Sequence, residues 1–339
     1  MMRFGLRVPA CEPADQVADF IARAERGGFD YAWVPDSQLL NREVWVSLGV
    51  AATRTSRIVL GTNVTNPLTR HATVTASAAA TLDEVSRSRF VLGIGTGESS
   101  VRVMGWKTAR LAQVQEYIEL MRSLWEGRWV APHGPAFHLN YATGRRIPVS
   151  IAASRPKLLQ LAGEIADGVI MVTGISKTAL EYGLTNIEIG ARRAGRRLED
   201  LDIATGVYCA IADDPRAIRK QAQPYAALYA LRYRGTERDF GIEIPEGFGI
   251  SSLYPDLLHA EDWDEAITKT DWVPDAVLDQ FCDEFVLLGT GEAVAAKVHD
   301  LASYGVNNLY IRGFSTYDLP ADVCQAFVEQ VIPRFRPSP

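Results

Sequence analysis

Apolar residues follow two kinds of pattern along this chain. Short continuous runs rich in β-branched and aromatic residues alternate with longer segments in which apolar positions recur every three or four residues. Short runs are typical of buried parallel strands, and the longer pattern is typical of amphipathic helices. Each short run is followed by sequence that can form a helix, and the runs cover residues 3–8, 31–35, 58–64, 90–95, 148–153, 168–173, 203–212 and 308–313. The pattern therefore predicts eight β/α units.

Eight apolar strands separated by crossover helices imply a parallel sheet whose outer face is covered. The length of 339 residues suits an α/β fold of the (β/α)8 TIM-barrel type, with a doubly wound sheet as the alternative. Two long intervals predict insertions, one at residues 125–146 before strand five and one at about 224–288 before strand eight. No repeat or linker marks a second domain, so we expect a single domain over residues 1–339.

The second insertion is rich in aromatic residues, and two interpretations stay open. The side chains either fix the insertion to the barrel or together form the wall of an apolar substrate pocket under a lid. The aromatic residues in question are Tyr225, Tyr229, Tyr233, Phe240, Phe248, Tyr254, Trp263 and Trp272.

Composition excludes several classes of partner. The chain is 47% hydrophobic with a formal net charge of −6, which argues against a nucleic-acid partner. No apolar run reaches the roughly 18 residues of a membrane span, and the first residues form a strand pattern where a signal peptide would have its apolar core. We therefore expect no membrane association and a cytoplasmic location.

Cysteine and histidine positions give no sign of a disulfide framework or a metal site. No CxxC pair and no HExxH motif occurs, and GISSLYP at 249–255 lacks the second glycine of a serine-hydrolase elbow. We expect free, buried thiols and no metal. The residues concerned are Cys11, Cys209, Cys282, Cys324, His71, His133, His138, His259 and His299.

The stretch RFVLGIGTGESS at 89–100 is the strongest local motif. A dinucleotide fingerprint needs glycine at its first, third and sixth positions, but after Gly93 and Gly95 the sixth position is Glu98. In a barrel the same segment ends strand four at the face where active sites form, and small residues there let a flat ligand approach the backbone. Glu98 then lies either on the solvated rim or in the pocket as an acid or base.

Longer stretches resemble the luciferase-like monooxygenase superfamily, and within it the branch of F420-dependent methylenetetrahydromethanopterin reductases. The resemblance runs over almost the whole chain. It is carried by DSQLLNREVW (36–45), LGTNVTNPLTRHATVTASAAATLDEVS (60–86), RFVLGIGTGES (89–99), AASRPKLLQLAGEIADG (152–168) and LLGTGEAVAAKVHDLASYGVNNLYI (287–311). This resemblance implies a (β/α)8 barrel that holds F420 or FMN at the carboxyl ends of its strands.

The resemblance assigns roles to residues after strands two and three. Asn63-Val64 falls where the family has a non-prolyl cis peptide that bulges strand three against the cofactor ring, and Asn66 lies in the same cofactor-binding stretch. Asp36 matches a polar residue near the ring and is a candidate catalytic acid. In the related sugar-phosphate dehydrogenases a histidine follows that acid as proton donor, whereas Ser37 follows here, which argues against their chemistry.

Further roles fall on the loops after strands four and five. Glu98 matches the glutamate of a TGE motif, formed here with Thr96 and Gly97, that transfers a proton beside the cofactor. We therefore expect Glu98 in a partly desolvated site with a raised pKa. A helix that begins after strand five offers free N–H groups to a phosphate of the cofactor tail. The matching contact residues there are Ser154, Arg155 and Lys157.

The resemblance implies an oxidoreductase that transfers hydride between F420 or FMN and a small organic substrate. An FMN-dependent monooxygenase is the close alternative, and a flavin-binding barrel without catalysis is a third. Ile175 stands where the sugar-phosphate enzymes have a phosphate-binding lysine, which argues against a glucose phosphate substrate. The family also implies a homodimer formed through an apolar face at 74–86 or 109–126, and possible supply of reduced cofactor by a separate flavin or F420 reductase.

Overall fold

Eight parallel strands close into a barrel surrounded by helices. In this computed structural model, which describes residues 1–235 and 241–336, the strands are β1 (Arg3–Arg7), β2 (Tyr31–Val34), β3 (Val59–Thr62), β4 (Phe90–Ile94), β5 (Val149–Ala153), β6 (Gly168–Met171), β7 (Asp202–Ile211), β8 (Val286–Gly289) and β9 (Asn308–Arg312). Over the same residues the α-helices are α1 (Ala14–Arg26), α2 (Val44–Arg54), α3 (Ala72–Val85), α4 (Ser99–Arg102), α5 (Leu111–Trp125), α6 (Pro156–Ile165), α7 (Lys177–Arg193), α8 (Pro215–Arg219), α9 (Gln223–Tyr233), α10 (Trp263–Lys269), α11 (Asp275–Phe285), α12 (Gly291–Ser303) and α13 (Ala321–Ala326).

The hydrogen-bonded ring runs from β1 through β7 in chain order and then through β9 back to β1. Closure is visible in the registers, since Thr205 of β7 pairs with Leu309 of β9, and Arg3 of β1 pairs with Asn308 of β9. The predicted TIM barrel is confirmed, and the doubly wound alternative is excluded because the sheet has no open edge within this ring.

One strand was not predicted. β8 lies outside the ring and pairs with the carboxyl-terminal half of the ten-residue strand β7, from Tyr208 with Val286 to Ile211 with Gly289. It falls at the end of the predicted second insertion and directly follows α11, with no glycine or proline between them. Its four apolar residues therefore gave no separate strand signal.

Helices cover the barrel through the faces that the sequence pattern predicts. Helix α1 buries Val17, Phe20 and Ile21 against the sheet and ends at Gly27, after which Gly28 adopts φ +96°. Left-handed backbone of this kind favours glycine, so the pair ends the helix and turns the chain into β2. The outward residues of the strands and the inward residues of the helices form one large core.

The first insertion, residues 126–147, follows α5 and therefore lies at the amino-terminal end of the barrel. A single bridge between Val130 and Phe137 is its regular pairing, and Arg145 fixes it to Asp83 at 2.6 Å. Its place in the topology separates it from the carboxyl ends of the strands.

The second insertion forms a core of its own from α9, α10 and α11. Tyr225 and Tyr229 are buried in it, and Tyr233, Phe248, Trp263 and Trp272 pack against it partly buried. Tyr254 is exposed, and the predicted Phe240 lies outside the described residues. Most of the predicted aromatic set therefore stabilises the insertion itself.

Other expectations about the chain surface have mixed outcomes. The four cysteines carry free thiols, of which three are buried and Cys11 is half-buried. The apolar face of α5 packs inward on the barrel, so this half of the predicted dimer surface is not available, whereas Val74 and Val85 of α3 are exposed. Within the described ranges, no helix is both long and apolar enough to cross a bilayer.

Candidate active site at the carboxyl ends of the strands

The predicted site residues meet at one end of the barrel. Asp36 follows β2, Asn63-Val64 and Asn66 follow β3, and the TGE motif at 96–98 follows β4. The segment 154–157 joins β5 to α6. Because the strands are parallel and form a closed ring, these loops share the carboxyl-terminal face.

Strand β3 is bulged where it meets β4. Gly61 pairs with Val91, but Thr65 pairs with Ile94, so residues 62–64 lie opposite only residues 92–93. One extra residue opposite its partner strand is a β-bulge, a feature common next to active sites. The Asn63-Val64 peptide inside the bulge is cis, as the resemblance predicts.

Glycines of β4 give the bulge its space. A Cβ atom on Gly93 would lie 1.9 Å from the Thr62 carbonyl oxygen, and one on Gly95 would lie 3.0 Å from a Val64 methyl group. Gly97 adopts φ +78°, and a Cβ there would lie 2.5 Å from Val101. The glycines therefore serve the close approach of β3 and the turn after β4, which explains the motif without a dinucleotide fingerprint.

Asp36 forms a buried ion pair that the sequence did not predict. Its Oδ2 accepts a hydrogen bond from Arg70 Nη1 at 2.5 Å, and Arg70 Nη2 also contacts Glu43 at 2.7 Å. Burial opposes the charge of Arg70, but the two carboxylates outweigh it and raise the pKa of the guanidinium. Glu43 in turn accepts a hydrogen bond from the Val46 N–H at the start of α2. Asp36 is therefore held in place by the loop after β3.

Asn66 organises that loop. Its side chain is fully buried, its Oδ1 accepts from the N–H groups of Leu68 and Thr69, and its Nδ2 donates to the hydroxyls of Thr69 and Ser100. These bonds use both amide hydrogens, so the side chain holds the loop after β3 against α4.

Glu98 lies on the rim of the barrel. Its side chain is 47% exposed, with Oε1 at 3.5 Å from Arg232 of α9 and 3.9 Å from Arg102 of α4. The residue forms the amino-terminal boundary of α4 and faces two arginines, which corresponds to the rim position of the two that the sequence left open. The pair with Arg232 connects the second insertion to the loop after β4.

The segment after β5 presents an open helix start. Arg155 precedes α6 and forms no side-chain cap, and Pro156 occupies its first turn. Ser154, Arg155 and Lys157 are all exposed. The Leu158 and Leu159 N–H groups donate to the Arg155 carbonyl, so the Lys157 N–H, the helix dipole and two basic side chains favour an anion at this position.

Side chains fill the barrel interior in layers. At the amino-terminal end, Arg3 Nη2 donates to Asp202 at 2.7 Å and Arg3 Nη1 to the Tyr31 hydroxyl at 2.9 Å. Tyr31 and Asn308 donate to the same carboxylate. Burial and the Asp202 charge raise the pKa of Tyr31. This closed network seals the lower end of the barrel.

Above this network, toward the carboxyl ends of the strands, apolar and aromatic side chains fill the barrel interior. Trp33, Ile170 and Tyr310 form the middle of the barrel, with Val64 and Ala152 packed at the top of the same cluster. Arg7 and Arg312 are the last residues of β1 and β9, and both side chains face inward. The sequence pattern does not mark either residue. Their inward position follows only from strand register, which explains why the sequence did not reveal them.

A cavity of about 290 Å³ opens on the same face. The loops after β1, β2 and β9 line it, and Asn41 contributes a buried amide whose oxygen and nitrogen both lack a hydrogen-bond partner. The described residues contain no cluster of His, Cys, Asp and Glu side chains suited to hold a metal ion.

Comparisons with known proteins agree with this architecture. The sequence model of the luciferase-like monooxygenase family matches residues 2–308. A 5,10-methylenetetrahydromethanopterin reductase from Methanolobus tindarius is 31% identical, over 91% of this chain and 93% of its own length. An F420-dependent glucose-6-phosphate dehydrogenase from Nakamurella multipartita is 33% identical over 72% of this chain and 77% of its own. The solved F420-dependent tetrahydromethanopterin reductase of Methanopyrus kandleri superposes with a TM-score of 0.76 at 25% identity and covers 99% of both chains.

Proposed function

The chain belongs to the luciferase-like monooxygenase family, and from this we propose that it transfers hydride between a flavin-type cofactor and a small organic substrate. Coenzyme F420 is named for the glucose-6-phosphate dehydrogenase that is 33% identical and for the solved Methanopyrus kandleri reductase, and FMN is the alternative. The bulged end of β3 carries the proposal, because it forms a rigid wall beside the glycine edge of β4 at the mouth of the barrel.

The residues at this wall fit a flat heterocycle with polar edges. Asn63 Nδ2 and Thr65 Oγ1 are buried and have no hydrogen-bond partner. Buried polar atoms without partners are rare in native proteins, and at the mouth of a barrel they favour contact with a ligand. Gly95 leaves open the space that a larger side chain would fill next to Val64. We assign Asn63, Val64 and Thr65 to the ring, with Thr96 and Gly97 beside it.

The helix start at 154–157 fits the phosphate of the cofactor tail. Arg155 and Lys157 supply positive charge, and the backbone N–H of Lys157 supplies a donor at the helix start. Asn66 acts indirectly in this proposal, since its hydrogen bonds place the loop that carries the wall.

The cofactor supplies the hydride chemistry when it is bound, and the protein supplies position and protons. The β3 wall would cover one face of the cofactor ring. Substrate would then reach the opposite face of the ring, under the second insertion. Glu98 is an exposed acid at the barrel mouth, and we assign it the proton transfer. Asp36 is only 3% exposed and paired with Arg70, so we assign it a positioning role.

Two positions at which this chain differs from the sugar-phosphate dehydrogenases indicate which substrate it does not use. Ser37 hydrogen-bonds to Ser99 at 2.7 Å, and Ile175 is 8% exposed with its backbone N–H bonded to Glu284. Neither side chain offers a proton donor of histidine type or a positive charge for a sugar phosphate. A substrate other than a glucose phosphate follows from this proposal.

We also propose that the chain forms a homodimer through α3. Val74 is 55% exposed and Val85 is 44% exposed on this helix. A two-fold pairing of α3 would cover them in both copies. Light scattering at micromolar concentration should give the mass of a dimer, and Val74→Glu should shift it toward the monomer.

A separate F420 or flavin reductase would supply reduced cofactor if the enzyme runs in the reducing direction.

Titration of the purified chain with F420 and with FMN tests the proposed function. We expect saturable binding of one equivalent per chain, followed by the change in cofactor fluorescence. If neither cofactor binds saturably, the proposed function is wrong. Turnover of reduced FMN with oxygen, and none of F420, would assign the monooxygenase reaction.

A further inference from the structure

We propose that Arg7 and Arg312 form an anion-binding pair that recognises an acidic oxygen group, a carboxylate or a phosphate, on the substrate. The inference rests on the proposed function for the location of the substrate in the barrel mouth. It goes further because it names the chemical class of the substrate and two specificity-determining residues.

Strand register places the two arginines next to each other. β1 and β9 are neighbouring parallel strands, and Gly5 pairs with Tyr310 and Leu6 with Ile311. Arg7 and Arg312 are the next positions on each strand. Since Leu6 and Ile311 belong to the outer core, the arginines share the inward face with Gly5 and Tyr310.

Contacts with aromatic residues confirm this direction for Arg312. Its guanidinium carbon lies 3.9 Å from the centroid of the Tyr208 ring and 5.5 Å from that of Tyr310. Burial raises the pKa of Tyr225 in α9 and of Tyr310, and the positive charges of both arginines oppose that rise. The Arg312 guanidinium therefore lies against the rings at the top of the barrel, and strand register places Arg7 beside it.

Neither arginine has a carboxylate partner among residues 1–235 and 241–336. No Asp or Glu oxygen of these ranges lies within 4.0 Å of either guanidinium, and Arg312 Nε is buried without any hydrogen-bond partner. Within the described ranges, the side chain of Arg312 makes one hydrogen bond, a weak contact of 3.4 Å from Nη1 to the Tyr208 hydroxyl. Most of the donors of the pair are free for a ligand.

The other end of the same two strands shows what a structural arginine looks like in this barrel. Arg3, the first residue of β1, is neutralised by Asp202 and bonded to Tyr31, and Asn308 of β9 bonds to the same carboxylate. At the opposite end, two like charges occupy adjacent positions and repel each other. A bound anion would neutralise this pair.

Chemistry and surroundings favour an acidic organic group. Arginine is suited to carboxylates and phosphates because its planar fork donates two parallel hydrogen bonds. Arg312 lies over the Tyr208 ring, and Tyr208 in turn packs against Tyr225 at 4.3 Å and stacks on Phe314 at 5.6 Å between ring centroids. Partial burial under these rings strengthens an ion pair relative to one in open water.

Benzoate, its neutral counterpart benzamide, and inorganic phosphate are the probes for this pair. Each is titrated by calorimetry into the chain without cofactor, so that the result does not depend on the proposed redox function. We expect saturable binding of benzoate or of phosphate and much weaker binding of benzamide. The anion whose affinity falls in the Arg7 and Arg312 variants, and not in the double variant Arg155→Ala and Lys157→Ala at the proposed tail site, assigns the group as a carboxylate or as a phosphate. Equal affinity for benzoate and benzamide, or no anion binding, would overturn the inference.

Variants locate the binding. Arg7→Met and Arg312→Met should each lower the affinity for the anion by about 10- to 100-fold, as expected for one charge-assisted contact. Arg312→Lys should restore part of the affinity. Lys107→Met, which removes an exposed charge on the same face, is the matched control and should leave it unchanged. F420 affinity should stay unchanged in both arginine variants. Loss of F420 affinity with anion binding intact would instead assign the pair to the cofactor.

Discussion

Thr62 and Gly93 bond to each other twice across the junction of β3 and β4. The Thr62 hydroxyl donates to the Gly93 carbonyl oxygen at 2.7 Å and accepts from the Gly93 N–H at 3.0 Å. This side chain replaces the backbone pairing that the bulge interrupts. The wall that we assign to the cofactor ring therefore depends on a buried threonine hydroxyl one residue before the cis peptide.

Replacement of Thr62 by valine should destabilise the fold and the site together. The substitution keeps the shape but leaves the Gly93 N–H buried without a partner, which costs about 1–3 kcal/mol. Denaturant unfolding should show this loss, and F420 affinity should fall with it. Thr62→Ser keeps the hydroxyl and is the control. Stability equal to wild type in the valine variant would show that the double bond does not hold the bulge.

The Glu98–Arg232 pair allows a test of the proton role. If Glu98 transfers the proton, Glu98→Gln should lower turnover by about 10²- to 10⁴-fold with cofactor affinity unchanged. Arg232→Gln removes the same ion pair but keeps the acid, so it should retain far more activity. Equal effects in the two variants would mean that the pair only holds the insertion against the barrel.

Basic residues at the start of α6 should control binding of the cofactor tail. The double substitution Arg155→Ala and Lys157→Ala removes two charges at the helix start and should weaken F420 by about 10-fold or more. Its affinity should also depend less on salt than that of the wild type. Arg192→Ala, at the far end of α7, is the control for net charge. Unchanged affinity in the double variant would place the tail elsewhere.

Glu25 should make stability depend on acid pH. Burial of its carboxylate opposes ionisation, but bonds from the N–H groups of Ser56, Arg57 and Ile58 outweigh it and lower the pKa. The stabilisation is thus present above the unfolded-state pKa of about 4.3 and is lost as the pH falls through the lower folded-state value. Glu25→Gln should be less stable at pH 7 and lose less stability between pH 5 and 3. Parallel stability curves for the two proteins would contradict this.

Sequence patterns were enough to predict the barrel because each of its strands is a separate apolar run followed by a helix. The pattern does not predict β8, because its partner residues 208–211 lie far away in the sequence and no turn signal separates it from α11. The pattern does not predict the contacts of Glu98 for a similar reason. Its contact with Arg232 spans 134 positions, and the pattern around each residue carries no trace of the other.

Arginine pairing marks the same limit within the site. The stretch that predicts the cis peptide also contains Arg70, but only the folded loop shows that this side chain neutralises Asp36. Arg7 and Arg312 become a pair only when β1 and β9 close the barrel. Local motifs therefore indicate which loops reach the carboxyl-terminal face, and long-range closure determines which charges there are compensated.

A crystal structure of the chain with F420 bound is the most direct test that the barrel mouth holds the cofactor. We expect the ring against Asn63 and Val64 and the tail phosphate at the amino terminus of α6, with Arg7 and Arg312 left facing the substrate side. A ring bound away from the β3 bulge would contradict it.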